Sequence, residues 1–308
     1  MRNDVLQIET TSRCTLKCPA CSRTVLAKYS KKPITHYDID PDILFNFLDC
    51  ETGNKIKVLS LCGDCGDSIY YPRLFDLIEK FRSKVAFEIR TNGSYQTEKF
   101  WKKLCSILGK DDAIIFGIDG LEDTNHLYRV NSDWQSIMMA VDIVAASDVK
   151  LVWETNVFSF NYNRLEEIKS FAESKGATFT ASKTHRFGDN KLIPPQNYVD
   201  VESIFQSKYK EVKDLTIDPD CVNMHRTTIC AQHYFYPCGW IRFPEVYYKT
   251  KHYKNREHWS IIGTTLDDMI NINLKNWVQE IHKDYSKCDD ICKMRCKVNQ
   301  PKQIYVDT

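Results

Sequence analysis

Between residues 5 and 185, short runs in which apolar and polar residues alternate give way repeatedly to longer stretches whose apolar residues recur every three or four positions. Period two marks a strand with one buried face, and a period near 3.6 marks a helix with one buried stripe. Six runs read as strands: VLQIETT (5–11), IKVLSLC (56–62), VAFEIRT (85–91), AIIFGID (113–119), KLVWETNVF (150–158) and ATFTASKTH (177–185). Between them PRLFDLIEKFR, TEKFWKKLCSILG, DWQSIMMAVDIVAAS and RLEEIKSFAESKG read as amphipathic helices. This alternation predicts an α/β fold with a parallel sheet, either doubly wound or curled into a barrel. No G-x-G-x-x-G follows the first strand, so nothing local supports a dinucleotide-binding fold.

The parity within the strands separates the two. One face carries Gln7, Glu9, Glu88, Arg90, Asp119, Glu154 and Asn156, and the other carries Leu6, Ile8, Leu59, Phe87, Ile89 and Trp153. A doubly wound sheet is apolar on both faces, and a closed barrel fills its interior mainly with Val, Ile and Leu. A polar inner face fits a partial (β/α)6 TIM-like barrel, open enough to hold a charged ligand. The alternative is a sheet with one wet face.

After residue 190 the rhythm stops. LIPPQNYVD reads as a linker, TTICAQHYFYPCGWI as a hairpin with a Gln-His turn, and TLDDMININLKNWVQEIHKDY as a helix. The predicted organisation is a barrel over 1–190, then a linker and a small C-terminal cysteine-rich β-hairpin plus helix domain over 191–308. The core of that second unit is too small to stand alone, and a bound metal supplies the missing stabilisation.

Composition narrows the chemistry. With 42 basic and 41 acidic residues in 308, the net charge of +1 gives no footprint for nucleic acid or an anionic membrane, apart from a local basic run, KYSKK, at 28–32. No apolar run reaches a membrane span, and the opening residues lack a signal-peptide core, so a cytoplasmic location is expected. Thirteen cysteines in such a chain point to metal ligation rather than disulfides.

Three of them, Cys14, Cys18 and Cys21, stand in SRCTLKCPACSR directly after the first strand. Four thiolates close the coordination of a structural zinc or an electron-transfer cluster. Three leave a cubane iron–sulfur cluster with one open iron, at the strand ends where parallel α/β folds place their chemistry. A fourth ligand such as Cys62 or Cys65 gives a closed zinc or ferredoxin-like site instead.

RCTLKCPAC resembles the signature of the radical S-adenosylmethionine (radical SAM) superfamily. Further stretches fit in order: GDCGDSIYYPRL (63–74) after strand two, TNG (91–93) ending strand three and IDGLEDTNHLYR (118–129) ending strand four. The resemblance implies a [4Fe-4S] cluster on Cys14, Cys18 and Cys21, with S-adenosylmethionine (SAM) chelating its open iron. One-electron cleavage then releases methionine and a 5′-deoxyadenosyl radical, which abstracts hydrogen from substrate. In the turn of Cys65, Gly66 and Asp67, the last two bring backbone carbonyls to the SAM amino group. Arg129 pairs with the carboxylate, Asp119 and Asn156 bind the ribose hydroxyls, and Thr91 and Asn92 shape the wall between. Arg129 as a helix-end salt bridge and Asp119 as a cap are the bland alternatives. Ser68 stands where the family often has proline.

The late cysteines resemble the Twitch form of the SPASM extension, which implies an auxiliary [4Fe-4S] cluster on Cys221, Cys238, Cys292 and Cys296. Cys230 and Cys288 are spare candidates, and zinc is the alternative metal. Cys50 and Cys105 read as buried helical residues. Lys183, His185 and Arg186 end strand six, where they meet an anionic substrate or form a solvated loop.

The expected function is hydrogen abstraction from an unactivated carbon, for a dehydrogenation or bond-forming oxidation in which the auxiliary cluster takes an electron or binds substrate. The chain opens on strand one, which favours a small molecule or short peptide as substrate; modification of a peptide or protein side chain by the same chemistry is the alternative. A flavodoxin- or ferredoxin-type reductant is implied, with no nucleic-acid or membrane partner. The rival from another class is a non-catalytic iron–sulfur or zinc protein used for binding or electron transfer.

Overall fold

In this computed structural model the described residues are 4–30, 35–63, 65–184, 186–187, 192–195, 221, 227–242, 247–283, 289 and 291–292. Strands form at all six places where the sequence alternates: β1 (Val5–Ile8), β2 (Val58–Leu61), β3 (Ala86–Thr91), β4 (Ala113–Gly117), β5 (Lys150–Val157) and β6 (Thr178–Lys183). Each is parallel to the next, in chain order. Helices α1 (Ser22–Ser30) and α2 (Pro41–Leu48) connect β1 to β2. Then α3 (Leu74–Phe81), α4 (Glu98–Ile107), α5 (Trp134–Ala145) and α6 (Leu165–Ser174) make the remaining crossovers. Crossovers between parallel strands are right-handed as a rule, so strands paired in chain order carry their helices on one face of the sheet and curl the other into a partial barrel.

The parity argument holds in detail. Leu6, Ile8, Leu59, Leu61, Phe87, Ile89 and Trp153 are buried beneath the helices in one continuous core. Gln7, Glu88, Arg90 and Glu154, on the opposite parity, are half-buried along the inner face. Helix starts are specified locally: the side chains of Asp40, Thr97 and Asp133 cap α2, α4 and α5 by accepting backbone N–H bonds.

The hairpin expected over 227–241 is present as β7 (Thr228–Ile229) and β8 (Phe235–Tyr236), and it belongs to the barrel sheet. Strand β7 runs parallel to β1, pairing Gln7 with Thr228 and Ile8 with Ile229, so among the described residues the sheet has eight strands and the edge of β1 is covered. At the turn His233 adopts a left-handed φ of 66°. Its Nε2 accepts the Asp40 N–H at 2.8 Å, which ties the hairpin to the start of α2.

The helix expected over 265–285 contains a π-helical segment, Met269–Leu274, between a single turn, Leu266–Asp268, and α7 (Lys275–Lys283). A π turn brings positions five apart onto one side, and its end residues Met269 and Leu274 are both buried. Cys105 lies on α4 as expected, while Cys50 falls just beyond the end of α2, and both pack against the core half-buried rather than buried. Among the described residues no helix is long and apolar enough to cross a membrane.

His252 is fully buried between the rings of Tyr236 and Trp259, with centroids 4.5 and 5.0 Å away, and its Nε2 bonds the Phe235 carbonyl at 2.9 Å. Burial pushes its pKa down from 6.5 to about 4. The unfolded chain therefore takes this proton below about pH 6.5 and the folded chain only near pH 4. The contribution to stability is whole above pH 6.5 and is lost as pH falls toward 4, by about 3 kcal/mol at roughly 1.4 kcal/mol per pKa unit. Denaturant melts between pH 7 and 4.5 are expected to show this acid limb, and His252→Gln, which keeps a donor for the carbonyl, is expected to flatten it.

Candidate active site

The segment after β1 is fastened before it reaches the first cysteine. Glu9, Thr10, Thr11 and Ser12 are all buried. The Ser12 N–H donates to the Tyr37 carbonyl at 2.9 Å, Thr11 Oγ1 donates to Asp38 at 2.6 Å, and the Arg13 guanidinium forks onto both Asp38 oxygens at 3.0–3.2 Å. Cys14, Cys18 and Cys21 then share one cluster with Leu16, Tyr128, Phe158 and Leu192, and α1 begins at the residue after Cys21. The loop rests on the segment beyond β4: Lys17 N–H donates to the Val130 carbonyl and Asn131 Nδ2 to that of Thr15, both at 2.9 Å.

As thiols Cys14 and Cys18 are hard to ionise. Burial first, then the neighbouring Asp67 charge, pushes Cys14 up to about 12. Burial pushes Cys18 up to about 11 against the pull of Arg129. The charges of Cys18 and Cys21 add to the rise at Cys14, and that of Cys21 to the rise at Cys18. Three soft sulfur donors within reach of one another's fields, enclosed by apolar side chains, are stable as thiolates when a multivalent, sulfur-seeking metal group neutralises them, and the donor set fits an iron–sulfur cluster. Among the described residues no three His, Cys, Asp or Glu side chains converge on the position of a single ion. A four-iron cube gives each cysteine its own iron and has no need of such a point.

The turn after β2 packs against this loop. A Cβ on Gly66 would lie 1.8 Å from the Thr11 carbonyl oxygen, so only glycine fits there. Asp67 N–H donates to the Arg13 carbonyl, and Cys65 N–H to Glu9 Oε2, both at 2.9 Å. The close approach foreseen for Gly66 is thus made to the cysteine loop. Asp67 itself is buried: Oδ1 accepts the Ile69 N–H at 3.2 Å, while Oδ2 accepts Thr91 Oγ1 at 3.2 Å, the Asn92 N–H at 2.6 Å and Asn92 Nδ2. Burial raises its pKa despite these bonds. Cys65, Gly66, Asp67, Thr91 and Asn92 are thereby gathered beside Cys14, and Asn92 Nδ2 lies 3.8 Å from its Sγ.

Across the rim Asp119 is fully buried. Its Oδ2 accepts Arg129 Nε at 2.6 Å, and its Oδ1 accepts the Asn156 N–H and Nδ2 at 2.7 and 3.2 Å. The carboxylate is occupied in aiming Arg129 and Asn156. Burial opposes the Arg129 charge, the neighbouring Asp119, Cys18 and Tyr128 together more than offset it, and the guanidinium stays protonated. Gly117 makes room: a Cβ there would lie 2.7 Å from Arg129 Nη2. Three residues of this shell escaped the sequence reading. Asn125 Oδ1 accepts the Asp119 N–H, Asn161 Nδ2 donates to the Asp119 and Asn156 carbonyls, and Tyr128 OH accepts Arg186 Nη1 at 3.1 Å. Their only signal was an amide or phenol just past a strand end. His185 lies outside the described residues.

Below the rim the inner face is crossed by ion pairs. Arg90 meets Glu154 at 2.5 Å, and Glu9 meets Arg242 at 2.9 Å, with the Arg242 guanidinium over the Tyr236 ring. Farther along, Cys221, Cys230 and Cys238 are buried in one apolar cluster with Tyr236, Ile241 and Leu274, against which Cys292 packs. Three of the four cysteines foreseen for a second cluster are thus together, with Cys230 among them. Cys296 and Cys288 lie outside the described residues.

No family model matches the chain, and no curated protein sequence matches it. Solved structures do. SuiB of Streptococcus suis bound to S-adenosylmethionine superposes with a TM-score of 0.54 at 14% identity, covering 77% of this chain and 60% of that one. The chain therefore spans about 60% of the length of SuiB. SuiB bound to precursor peptide SuiA gives 0.57 at 13% identity, over 82% and 66% of the two chains. Native anSMEcpe with bound AdoMet and Cp18Cys peptide gives 0.57 at 14% identity, over 94% and 87%. At these identities the likeness is one of fold: the chain shares the partial-barrel architecture of SuiB and anSMEcpe.

Proposed function

We propose that the chain is a radical SAM enzyme, with Cys14, Cys18 and Cys21 holding a [4Fe-4S] cluster whose open iron takes SAM. The observation that carries this reading is the gathering of three thiols, Cys18 buried and Cys14 and Cys21 half-buried, just after β1, flanked by the Gly66 turn on one side and Arg129 on the other. It is supported by the shared fold of structures that contain S-adenosylmethionine. The cluster and SAM together supply one-electron cleavage of the sulfonium to methionine and a 5′-deoxyadenosyl radical, which takes a hydrogen atom from substrate.

The chain's own residues bind and orient. The Gly66–Asp67 carbonyls face the SAM amino group, and Arg129, held by Asp119, offers its planar fork to the carboxylate. Asn156 lies on the ribose side, while Asp119 acts through both partners rather than on the ribose itself. Thr91 and Asn92 close the wall beside Cys14. The pairs Arg90–Glu154 and Glu9–Arg242 line the inner face, where a polar substrate finds both signs of charge.

Cys221, Cys238, Cys292 and Cys296 hold an auxiliary [4Fe-4S] cluster, which supplies an electron acceptor for substrate oxidation or a direct contact to substrate. The substrate is a short peptide or a small molecule; the peptide-bound structures of SuiB and anSMEcpe favour the peptide. A flavodoxin- or ferredoxin-type protein supplies the electron.

Anaerobic reconstitution is expected to give roughly eight irons per chain, and roughly four when Cys14, Cys18 and Cys21 are all replaced by alanine. Dithionite with SAM is expected to release 5′-deoxyadenosine from the wild type and none from the triple variant; zinc in place of iron overturns the reading. Cys230→Ser is expected to retain the full iron content, whereas Cys296→Ser loses the auxiliary half. The reverse result moves the fourth ligand to Cys230. Asp119→Asn removes the counter-charge of Arg129 and is expected to weaken SAM binding about tenfold or more, measured by calorimetry at unchanged iron content.

A further inference from the structure

Asn92 is held by more bonds than a wall residue needs. Its Oδ1 accepts the Ser94 N–H at 2.9 Å, which settles which end of the amide is oxygen. Its Nδ2 donates to Asp67 Oδ2, the same oxygen that accepts the Asn92 backbone N–H at 2.6 Å. Main chain and side chain of one residue are therefore clamped on one carboxylate oxygen. An amide nitrogen has two hydrogens. With one spent on Asp67, the other is directed at Cys14 Sγ, 3.8 Å away. Asn92 and Asp67 are only 5% and 6% exposed, so water does not compete for either group. The same sulfur also accepts the Leu16 N–H at 3.4 Å.

We propose that Asn92, aimed by Asp67, is a positioning residue whose side-chain N–H donates to the Cys14 sulfur and raises the reduction potential of the cluster that Cys14 helps to hold. The inference rests on the functional reading above. Reduction adds negative charge that spreads onto the thiolate sulfurs. A fixed N–H dipole stabilises the reduced form more than the oxidised form, and removing it moves the potential to a more negative value. The effect requires a rigid donor, because an amide free to rotate would turn to a better acceptor. The shared Asp67 oxygen supplies that rigidity.

The test uses full-length protein, reconstituted anaerobically and titrated potentiometrically without SAM, with the reduced clusters followed by electron paramagnetic resonance. In Asn92→Ala one midpoint is expected to move negative while the other, and the iron content, stay at wild-type values. Unchanged midpoints in Asn92→Ala at full iron content overturn the inference. A second measurement needs no variant: wild type grown with asparagine labelled with ¹⁵N at the side-chain amide is expected to show a label-dependent nitrogen coupling to the reduced cluster by pulsed resonance. Absence of that coupling also overturns it, including where the alanine variant fails to assemble. Wild type that takes up no iron and sulfide removes the functional reading along with the inference, whereas an intact cluster without coupling or shift removes the inference alone.

Discussion

A carboxylate sealed from water holds the upper rim together. Taking Asp67 out of water costs several kcal/mol, and donors on both of its oxygens offset part of that cost. Those donors are the Ile69 N–H of the following turn and three groups at the end of β3, Thr91 Oγ1, Asn92 N–H and Asn92 Nδ2. Two loops leaving neighbouring strands are thereby locked in one register. Because the Asp67 N–H also donates to the Arg13 carbonyl, the cysteine loop is locked with them. Gly66 lets the two backbones come that close, and a side chain there would push the first cysteine out of line with Asn92.

The same economy recurs at Asp119, which is wholly buried and shared between Arg129 and Asn156. Both acids beside the thiols thus have their oxygens occupied by donors. What the chain presents to sulfur is the reverse in sign: the Leu16 N–H and the Asn92 amide at Cys14, and the guanidinium charges of Arg129 and Arg186 in the field of Cys18. Three thiolates form a strongly negative group, and carboxylates facing them would add to the repulsion that already raises Cys14 and Cys18. Burying the acids as orienting groups, with donors and cations outward, leaves the site receptive to an anionic cluster and to a ligand carboxylate together.

Much of this was legible in the order of residues. Period-two alternation located all six barrel strands, because burial of one strand face leaves an unambiguous trace, and the polar parity announced an inner face that is not a closed apolar core. The cysteine triplet, Gly66 and Asp67 were visible as motifs. The bonding inside the rim was not. Whether Asp119 faces a ligand or Arg129 depends on a fork reaching back over Gly117, a contact between residues separated in sequence that leaves no periodic trace. Nor did two-residue strands reveal that β7 pairs with the edge of β1, since Thr228 and Ile229 alternate too briefly to choose a partner. The π turn at Met269 was invisible for a related reason: an apolar spacing of five occurs within ordinary helices.

The attachment of the hairpin to β1 decides how the two cysteine groups relate. If the late cysteines hung on a linker, their distance from Cys14 would vary with chain entropy. Instead β7 is hydrogen-bonded along β1, and the Glu9 N–H continues the ladder by donating to the Ile229 carbonyl at 2.8 Å. The Glu9 side chain then bridges both groups, taking the Cys65 N–H of the rim turn on one oxygen and Arg242 on the other. Arg242 follows Cys238 by four residues within one helical turn, and Cys230 follows β7 directly. The spacing between the triplet and the second cysteine group is therefore set by strand register and one buried ion pair. A separation fixed by sheet geometry does not vary with chain entropy as a tethered one would.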